Sequence, residues 1–347
     1  MGAPRLSTSF HREMATQTNA PLPEGLEVGG YRIVRKISSG GFSIVYLAAD
    51  ESGAQFAIKE YLPSSLVQRR VGELEPRVAQ ASEPTFRNGL RCFFEEGRAL
   101  ARIFHPNVVR VVNFFRANGT VYLVMTYERG RSLQELVLRN RGRHHGRTLA
   151  ERHVLRVFHL VMNGLREVHA NRLLHLDLKP ANVYLRLDGT PLLLDFGAAR
   201  RALDVHAHKL FPMYTPGFAA PELYRRNQQL GPWTDVYGLG ASLFGCMAGQ
   251  PPQPADQREL EDKVPAALDA MEPVYSRALL DLVGWCLKLD ALERPQSVFA
   301  LQRAMRHIEP PPDDTRRSPS TVGRWIDTLA GRVPVRRRGG ESITAPG

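Results

Sequence analysis

Four polar residues of different chemistry lie within eight positions of one another in the segment HLDLKPANVYL, residues 175–185. They are His175, Asp177, Lys179 and Asn182. Pro180 would break a helix, so the segment is predicted to be a loop between an amphipathic helix and a short strand. Such a loop presents its polar groups in a cleft.

A second acidic residue stands at the end of an apolar strand in LLLDFGAAR, residues 192–200. This residue is Asp195, and Gly197 two positions later frees the backbone to turn. An isolated aspartate at a strand end is more often a turn former or a helix cap than a metal ligand. The order of the polar segments along the chain nevertheless favours the interpretation of Asp195 as a metal ligand.

A lysine and a glutamate earlier in the chain form a candidate ion pair. Lys59 follows two apolar residues in AIK, and burying its ammonium is costly unless the ammonium meets a carboxylate or a phosphate. Glu95 and Glu96 lie on the next predicted helix, and Glu96 falls one turn before Leu100, on the apolar stripe. Glu96 is therefore the better partner.

Small residues cluster in ISSGGFSIVYLA, residues 37–48, between two strand-like runs. Small side chains let backbone N–H groups approach anionic phosphates. From these residues alone, a plain β-hairpin is the simpler interpretation.

The elements around these residues indicate an α+β protein. Residues 31–60 and 108–129 hold runs rich in β-branched and aromatic residues, which predict a small antiparallel sheet, and residues 86–104 have helical spacing. Long amphipathic helices follow residue 150. We predict flexible tails at residues 1–30 and 308–347, the second rich in Pro and Arg.

The order of a glycine-rich loop, AIK, a helix glutamate, HLDLKPAN, DFG and AAPE resembles the signature of eukaryotic-type protein kinases, most like the bacterial serine/threonine kinases. The resemblance covers residues 31–307. It implies the two-lobed kinase fold, with a sheet-rich N-lobe at residues 31–127 and a larger helical C-lobe at residues 128–307.

The resemblance also implies a role for each matching residue in transferring the γ-phosphoryl group of ATP. Lys59 would pair with Glu96 and contact the α- and β-phosphates. Asp195 and Asn182 would hold Mg²⁺, for which Mn²⁺ is a plausible substitute. Asp177 would accept the proton of the substrate hydroxyl, and Lys179 would neutralise charge on the transferring group.

The nucleotide pocket follows from the same resemblance. Met125 matches the gatekeeper, the backbone of Glu128 would meet the adenine edge, and Val45, Ala57 and Tyr184 would enclose the purine. The phosphate loop would use Ser38, Gly40 and Ser43 together with Val45.

Four further matches concern protein substrates and the support of the site. Glu222 of AAPE should pair with Arg294, and Asp235 should anchor the catalytic loop. The AAPE platform favours a protein substrate over a small molecule, and Thr215 with the form LKPAN favours Ser/Thr acceptors.

The sequence departs from the kinase pattern in three places. Ser38 and Ser43 replace glycines of the phosphate loop, which predicts weaker ATP binding because serine adopts positive φ at greater cost. Leu176 replaces an arginine that pairs with an activation-loop phosphate in many kinases, and residues 198–213 carry no hydroxyl, so we expect activity without phosphorylation there. Residues 61–90 are longer than in most kinases, either as a regulator of the Glu96 helix or as a passive insertion.

Composition excludes several other functions. The net charge of +11 comes mostly from arginine without interleaved aromatic residues, so nucleic acid is not an expected partner. No apolar run is long enough to span a membrane and the N-terminus does not resemble a secretory signal, which predicts a cytoplasmic protein. The three cysteines have no metal-ligand spacing.

An active kinase is the leading hypothesis, with ATP, Mg²⁺ and Ser/Thr-containing proteins as its partners. A pseudokinase scaffold and a small-molecule kinase are the alternatives. Ser318, Ser320 and Thr321 lie beside arginines in the C-terminal tail, where autophosphorylation is one interpretation and a plain linker the other. The sequence gives no indication of the oligomeric state.

Overall fold

The computed structural model of the protein describes residues 17–143, 149–196, 215–225 and 228–308. An antiparallel sheet forms its N-terminal part, from the runs rich in β-branched and aromatic residues. In chain order its strands are β1 (Glu27–Val28), β2 (Tyr31–Gly40), β3 (Ser43–Ala49), β4 (Gln55–Tyr61), β7 (Val111–Ala117) and β8 (Thr120–Thr126). They lie side by side in the order β1-β2-β3-β4-β8-β7.

The register of the sheet separates its side chains into two groups. Val45 pairs with Lys59, and Ala57 pairs with Met125, so these four side chains share one face. Glu60, the next residue of β4, lies on the opposite face. One face of the sheet therefore carries the predicted nucleotide-binding residues, and the other carries a buried carboxylate.

Helix α1 (Glu83–Leu100) covers the Lys59 face. Its Phe93 ring lies 5.4 Å from the ring of Tyr61 and 5.8 Å from the Lys59 ammonium. The helix begins and ends a few residues before the predicted bounds of 86 and 104. Phe104 lies beyond its end on the surface, 73% exposed, beneath the guanidinium of Arg110.

The segment between β4 and α1 covers the opposite face. It includes a two-stranded ribbon of β5 (Val67–Gln68) and β6 (Arg77–Val78). Its Arg69 side chain is fully buried on Glu60. The long insertion is thus divided, since residues 83–90 belong to α1, Leu62, Leu66, Val67 and Arg69 are buried, and most of residues 70–82 are exposed.

Residues 17–30, predicted to be part of a flexible tail, are packed against the sheet instead. Asn19 is 6% exposed, Leu22 is 3% exposed, and β1 joins the edge of the sheet. The prediction was wrong for these residues because polar hydrogen bonds hold the segment, and such contacts leave no hydrophobic periodicity in the sequence. Residues 1–16 and 309–347 lie outside the described residues.

The C-terminal part is helical. Its helices are α2 (Leu133–Arg143), α3 (Glu151–Ala170), α4 (Pro232–Ala248), α5 (Ala255–Arg258), α6 (Val264–Asp269), α7 (Arg277–Cys286) and α8 (Val298–Met305). Three short strands, β9 (Gly130–Ser132), β10 (Val183–Arg186) and β11 (Pro191–Leu193), form a sheet in the order β11-β10-β9. Helix α4 is buried along almost its whole length and packs against α3 and α7. The result is a two-lobed α+β architecture, as predicted.

Across the described ranges we find no helix with the length and apolar character needed to cross a bilayer.

Candidate active site

The loop between α3 and β10 carries the polar residues of HLDLKPAN, and helix α4 holds it in place. Asp235 in the first turn of α4 accepts hydrogen bonds from the backbone N–H groups of His175 (2.8 Å) and Leu176 (2.7 Å). It also lies 2.8 Å from the ring nitrogen of His169. These charge-assisted bonds hold Leu176 at a φ of +62°, a conformation that a branched residue adopts only at a cost. The predicted anchoring role of Asp235 agrees with this geometry.

His175 supports the loop from inside the protein. Its Nε2 lies 2.9 Å from the carbonyl oxygen of Leu194, to which it can only donate, and its Nδ1 accepts from the N–H of Asp177 at 3.4 Å. This arrangement requires the neutral ring. Burial lowers the pKa of His175 below its usual value of 6.5, and the carboxylate of Asp235 opposes that shift only in part.

We expect the free energy of unfolding to decrease as the pH falls below about 6.5, the range in which unfolded His175 gains a proton that the folded protein does not bind. Stability rises with pH wherever the unfolded state binds more protons, so this contribution is complete above that range. Urea unfolding about one pH unit above and below 6.5 measures the effect. In the variant His175→Gln, the free energy of unfolding should differ less between the two pH values than it does in wild type. An equal difference in both proteins would contradict the prediction.

Asp177 lies at the centre of a cluster of hydrogen bonds. Its carboxylate accepts from the Lys179 ammonium at 3.0 and 3.1 Å, from Asn182 Nδ2 at 2.9 Å and from the Thr215 hydroxyl at 3.3 Å. Lys179 also donates to the Thr215 hydroxyl at 2.8 Å. The structure thus brings Lys179 and Asn182 of the predicted loop onto Asp177, and it adds Thr215 to them.

Lys59 reaches this cluster from the sheet. Its Nζ lies 2.7 Å from Asp195 Oδ1, and it is 8% exposed. The carboxylate that meets the Lys59 ammonium in this conformation is that of Asp195, a contact that the sequence did not predict. Glu96 is buried on α1, and its assigned role stays a prediction.

Asp195 and Asn182 are the two side chains that fit a divalent cation. Asn182 Nδ2 lies 3.4 Å from the backbone oxygen of Asp195, so the two residues are neighbours. Among the described residues, no group of three or more His, Cys, Asp or Glu side chains surrounds a common point. One carboxylate and one amide oxygen suit Mg²⁺, which takes few protein ligands and fills its octahedron with phosphates and water.

The residues expected around adenine belong to the N-terminal sheet and to β10. Val45 and Ala57 are half-buried on the Lys59 face of the sheet, and Met125 is buried beside Ala57. Tyr184 of β10 donates from its hydroxyl to the Glu128 carbonyl at 3.2 Å. Burial raises the pKa of Tyr184 to about 12, which keeps that hydroxyl protonated.

The glycine-rich segment is a tight hairpin with Gly41 and Phe42 at its turn between β2 and β3. Ser38 and Ser43 are paired in the ladder, Ser38 with Val45 and Ser43 with Gly40. None of residues 38–43, all of which the structure describes, has a positive φ. The two serines therefore carry no backbone cost in this conformation.

A buried ion pair supports the segment that follows the catalytic cluster. Arg294 donates to both carboxylate oxygens of Glu222, at 2.8 and 3.0 Å, and its other donors reach the backbone oxygens of Lys288 and Leu289. The sequence predicted this pair. Residues 197–214, which include the segment without hydroxyls, lie outside the described residues.

Sequence reasoning missed two residues near the site. Arg69 forms a buried pair with Glu60, and Gln17 contacts the tip of the glycine-rich hairpin. One signal for the pair was available, since Glu60 and Lys59 follow the three apolar residues 56–58 in the same strand. No sequence signal pointed to Gln17.

The protein has a sheet-rich lobe and a helical lobe, with a lysine, two aspartates and an asparagine between them. This arrangement is the architecture of ATP-dependent phosphotransferases. The family model described as "Protein kinase domain" matches residues 31–307. The chain belongs to the protein kinase family.

Individual relatives agree with this assignment. Serine/threonine-protein kinase Nek3 of Mus musculus is 29% identical over 276 residues, which cover 79% of this chain and 49% of that protein. Serine/threonine-protein kinase pkn2 of Myxococcus xanthus is 30% identical over 299 residues, covering 82% of this chain and 33% of that protein. The chain thus spans about half or less of the length of these relatives.

Two solved structures have similar folds. The structure described as the PpkA-294 apo form is 32% identical with a TM-score of 0.74, and the match covers 82% of this chain and 99% of that one. The PknI kinase domain of Mycobacterium tuberculosis has a TM-score of 0.61 and 24% identity over 82% of this chain and 99% of that one, a similarity of fold alone.

Proposed function

We propose that the protein is an active serine/threonine protein kinase that transfers the γ-phosphoryl group of Mg-ATP to hydroxyl groups of protein substrates. The cluster around Asp177 carries the proposal. A carboxylate, an ammonium group, an amide and a hydroxyl meet there, next to the Lys59–Asp195 pair. A scaffold has no chemical need of this whole set.

Asp177 is the proposed acceptor of the substrate proton. The Lys179 ammonium, within 3.1 Å of both its oxygens, favours the ionised carboxylate that a base must be. The same ammonium neutralises charge on the group in transfer. Thr215 bridges the two side chains and fixes their relative position.

Asp195 and Asn182 are the proposed ligands of the magnesium ion. The metal, when bound, neutralises the charge that develops on the phosphate oxygens. Lys59 contributes a further positive charge beside Asp195 and is directed by it toward the phosphates. The hairpin of residues 38–43 would cover the phosphates from above.

The adenine base is proposed to lie between Val45 and Ala57 of the sheet and Tyr184 of β10. The backbone of Glu128 would meet the edge of the base, with Met125 behind it. The Tyr184–Glu128 hydrogen bond supports this arrangement because it holds the chain between the lobes against β10.

Proteins are the proposed substrates, and their serine or threonine hydroxyls are the acceptors. Arg294 holds Glu222 and thereby the segment 215–223, which would position a peptide beside Asp177. Autophosphorylation is part of the proposal, with Ser318, Ser320 and Thr321 as candidate acceptors.

The test is the transfer of labelled γ-phosphate from Mg-ATP to the protein itself and to casein. We expect wild type to label both and Lys59→Met to label neither, with phosphoserine or phosphothreonine in the product. If the wild-type protein binds ATP but transfers no phosphate, the pseudokinase alternative replaces the proposal. Transfer of phosphate to small molecules alone would favour the alternative of a small-molecule kinase.

Activity is further expected to be independent of activation-loop phosphorylation. Leu176 offers no positive charge to a phosphate, so a phosphate introduced nearby would have no partner at that position. Protein treated with a phosphatase should therefore retain its initial rate with casein. Strong activation after phosphorylation at Tyr214 or Thr215 would contradict this expectation.

A further inference from the structure

Three consecutive carbonyl groups at the tip of the glycine-rich hairpin accept hydrogen bonds from outside the hairpin. The Gly40 oxygen lies 3.0 Å from Gln17 Nε2. The Gly41 oxygen accepts from the backbone N–H and the hydroxyl of Ser64, at 2.8 and 3.2 Å, and the Phe42 oxygen accepts from the Leu62 N–H at 2.7 Å. We call residues 17–19 and 62–64 the brace.

Gln17 joins the two parts of the brace. Its Nε2 donates to the Leu62 oxygen at 2.8 Å as well as to Gly40. Its Oε1 accepts from the backbone and side-chain nitrogens of Asn19, at 3.2 and 2.9 Å. Both ends of the amide therefore have partners of the right kind, which fixes its orientation.

The brace rests on the buried ion pair behind the sheet. Asn19 Oδ1 accepts from the Arg69 N–H at 2.6 Å, and Arg69 Nε donates to the Ala20 oxygen at 2.9 Å. The Arg69 guanidinium in turn contacts both carboxylate oxygens of Glu60, at 2.5 and 2.7 Å. Glu60 is the neighbour of Lys59 in β4, so the hairpin tip and the lysine share one rigid support.

Bracing a carbonyl also fixes the following N–H group. In a planar trans peptide the C=O and the next N–H point in opposite directions. The bonds to Gly40 and Gly41 therefore set the directions of the N–H groups of Gly41 and Phe42. These N–H groups are what the hairpin can offer to a phosphate.

We propose that Gln17 is a positioning residue for nucleotide phosphates and that the brace orders the hairpin before nucleotide binds. This inference rests on the proposed function, in which residues 38–43 cover the phosphates of ATP. A hairpin held from behind loses less conformational freedom on binding.

The variant Gln17→Glu tests the proposal with little change of shape. It retains the acceptor for Asn19 but turns a carboxylate oxygen toward the carbonyls of Gly40 and Leu62. We expect the Kd of Mg-ADP to rise about 3- to 10-fold, the range of one to two lost hydrogen bonds. The Kd of adenosine, which has no phosphate, should not change.

Gln68→Glu is the matched control, since Gln68 is exposed on β5 and receives the same change of charge. It should bind both ligands as wild type does. An equal loss of ADP and adenosine affinity in Gln17→Glu, or an equal effect of Gln68→Glu, would overturn the positioning role.

Hydrogen exchange without nucleotide tests the brace independently of kinase activity. In Gln17→Glu, amides of residues 39–43 should exchange faster than in wild type, while those of α3 should not change. Unchanged exchange at residues 39–43 would refute the brace. If wild type binds neither ADP nor adenosine, the proposed function fails and so does the positioning role, whereas faster exchange would still support a braced hairpin.

Discussion

The variant Asp177→Asn should lose phosphoryl transfer by roughly 10²- to 10⁴-fold, the contribution typical of a positioned general base. Asparagine has nearly the same size, and its oxygen can still accept from Lys179. It does not accept the substrate proton at neutral pH. The loss should therefore appear in the rate of transfer, which initial rates with labelled ATP and casein measure.

Two further measurements separate chemistry from folding in this variant. The Kd of Mg-ADP should stay close to wild type, because Asp177 is not one of the proposed nucleotide or metal ligands. The midpoint of urea unfolding should fall, because the buried Lys179 ammonium loses this carboxylate partner, so ADP binding is the measurement that shows the variant to be folded under the assay conditions. Asp188→Asn is the matched control, because Asp188 lies in an exposed turn after β10. A transfer rate for Asp177→Asn close to that of Asp188→Asn would exclude Asp177 as the base.

The variant Arg69→Met should lower the free energy of unfolding by about 3–5 kcal/mol, the usual cost of leaving one member of a buried ion pair alone. Both side chains of the Arg69–Glu60 pair are completely buried. Without the guanidinium, Glu60 keeps only the hydroxyls of Tyr46 and Tyr122, each 2.8 Å away. Urea unfolding monitored by fluorescence measures the change.

The double variant Arg69→Met with Glu60→Gln distinguishes charge from packing. If the unpaired carboxylate causes the loss, removing its charge should restore part of the stability. Arg70→Met is the matched control, since Arg70 is exposed and its change should stay within about 0.5 kcal/mol of wild type. A loss for Arg69→Met no larger than for Arg70→Met would contradict the prediction.

Much of the site could be predicted because its residues are adjacent in sequence or stand in motifs of fixed order. Asp177, Lys179 and Asn182 lie in one loop, so their proximity follows from local geometry. Glu222 and Arg294 are far apart in sequence, and their pairing came from the resemblance to kinases. The sheet and the long helices followed from the periodicity of apolar residues.

Other features depend on the conformation or on long-range polar contacts. The sequence analysis assigned Glu96 as the partner of Lys59 and did not predict the contact of its ammonium with Asp195, which lies 136 positions later in the chain. Gln17 and Arg69 form their hydrogen bonds with residues distant in sequence, on or near the face of the sheet that carries Glu60. A single polar residue in a segment without periodicity gives no pattern from which such a contact can be read.

The dependence of the catalytic loop on Asp235 has a consequence for how this chain can diverge. The carboxylate that accepts hydrogen bonds from the backbone of this loop belongs to a helix that is buried along almost its whole length, so this anchor lies away from the surface. Mutations on the exterior of the helical lobe can then alter which proteins it meets without moving the reacting groups. Under the proposed function, recognition of protein substrates and phosphoryl transfer would use separate parts of this architecture.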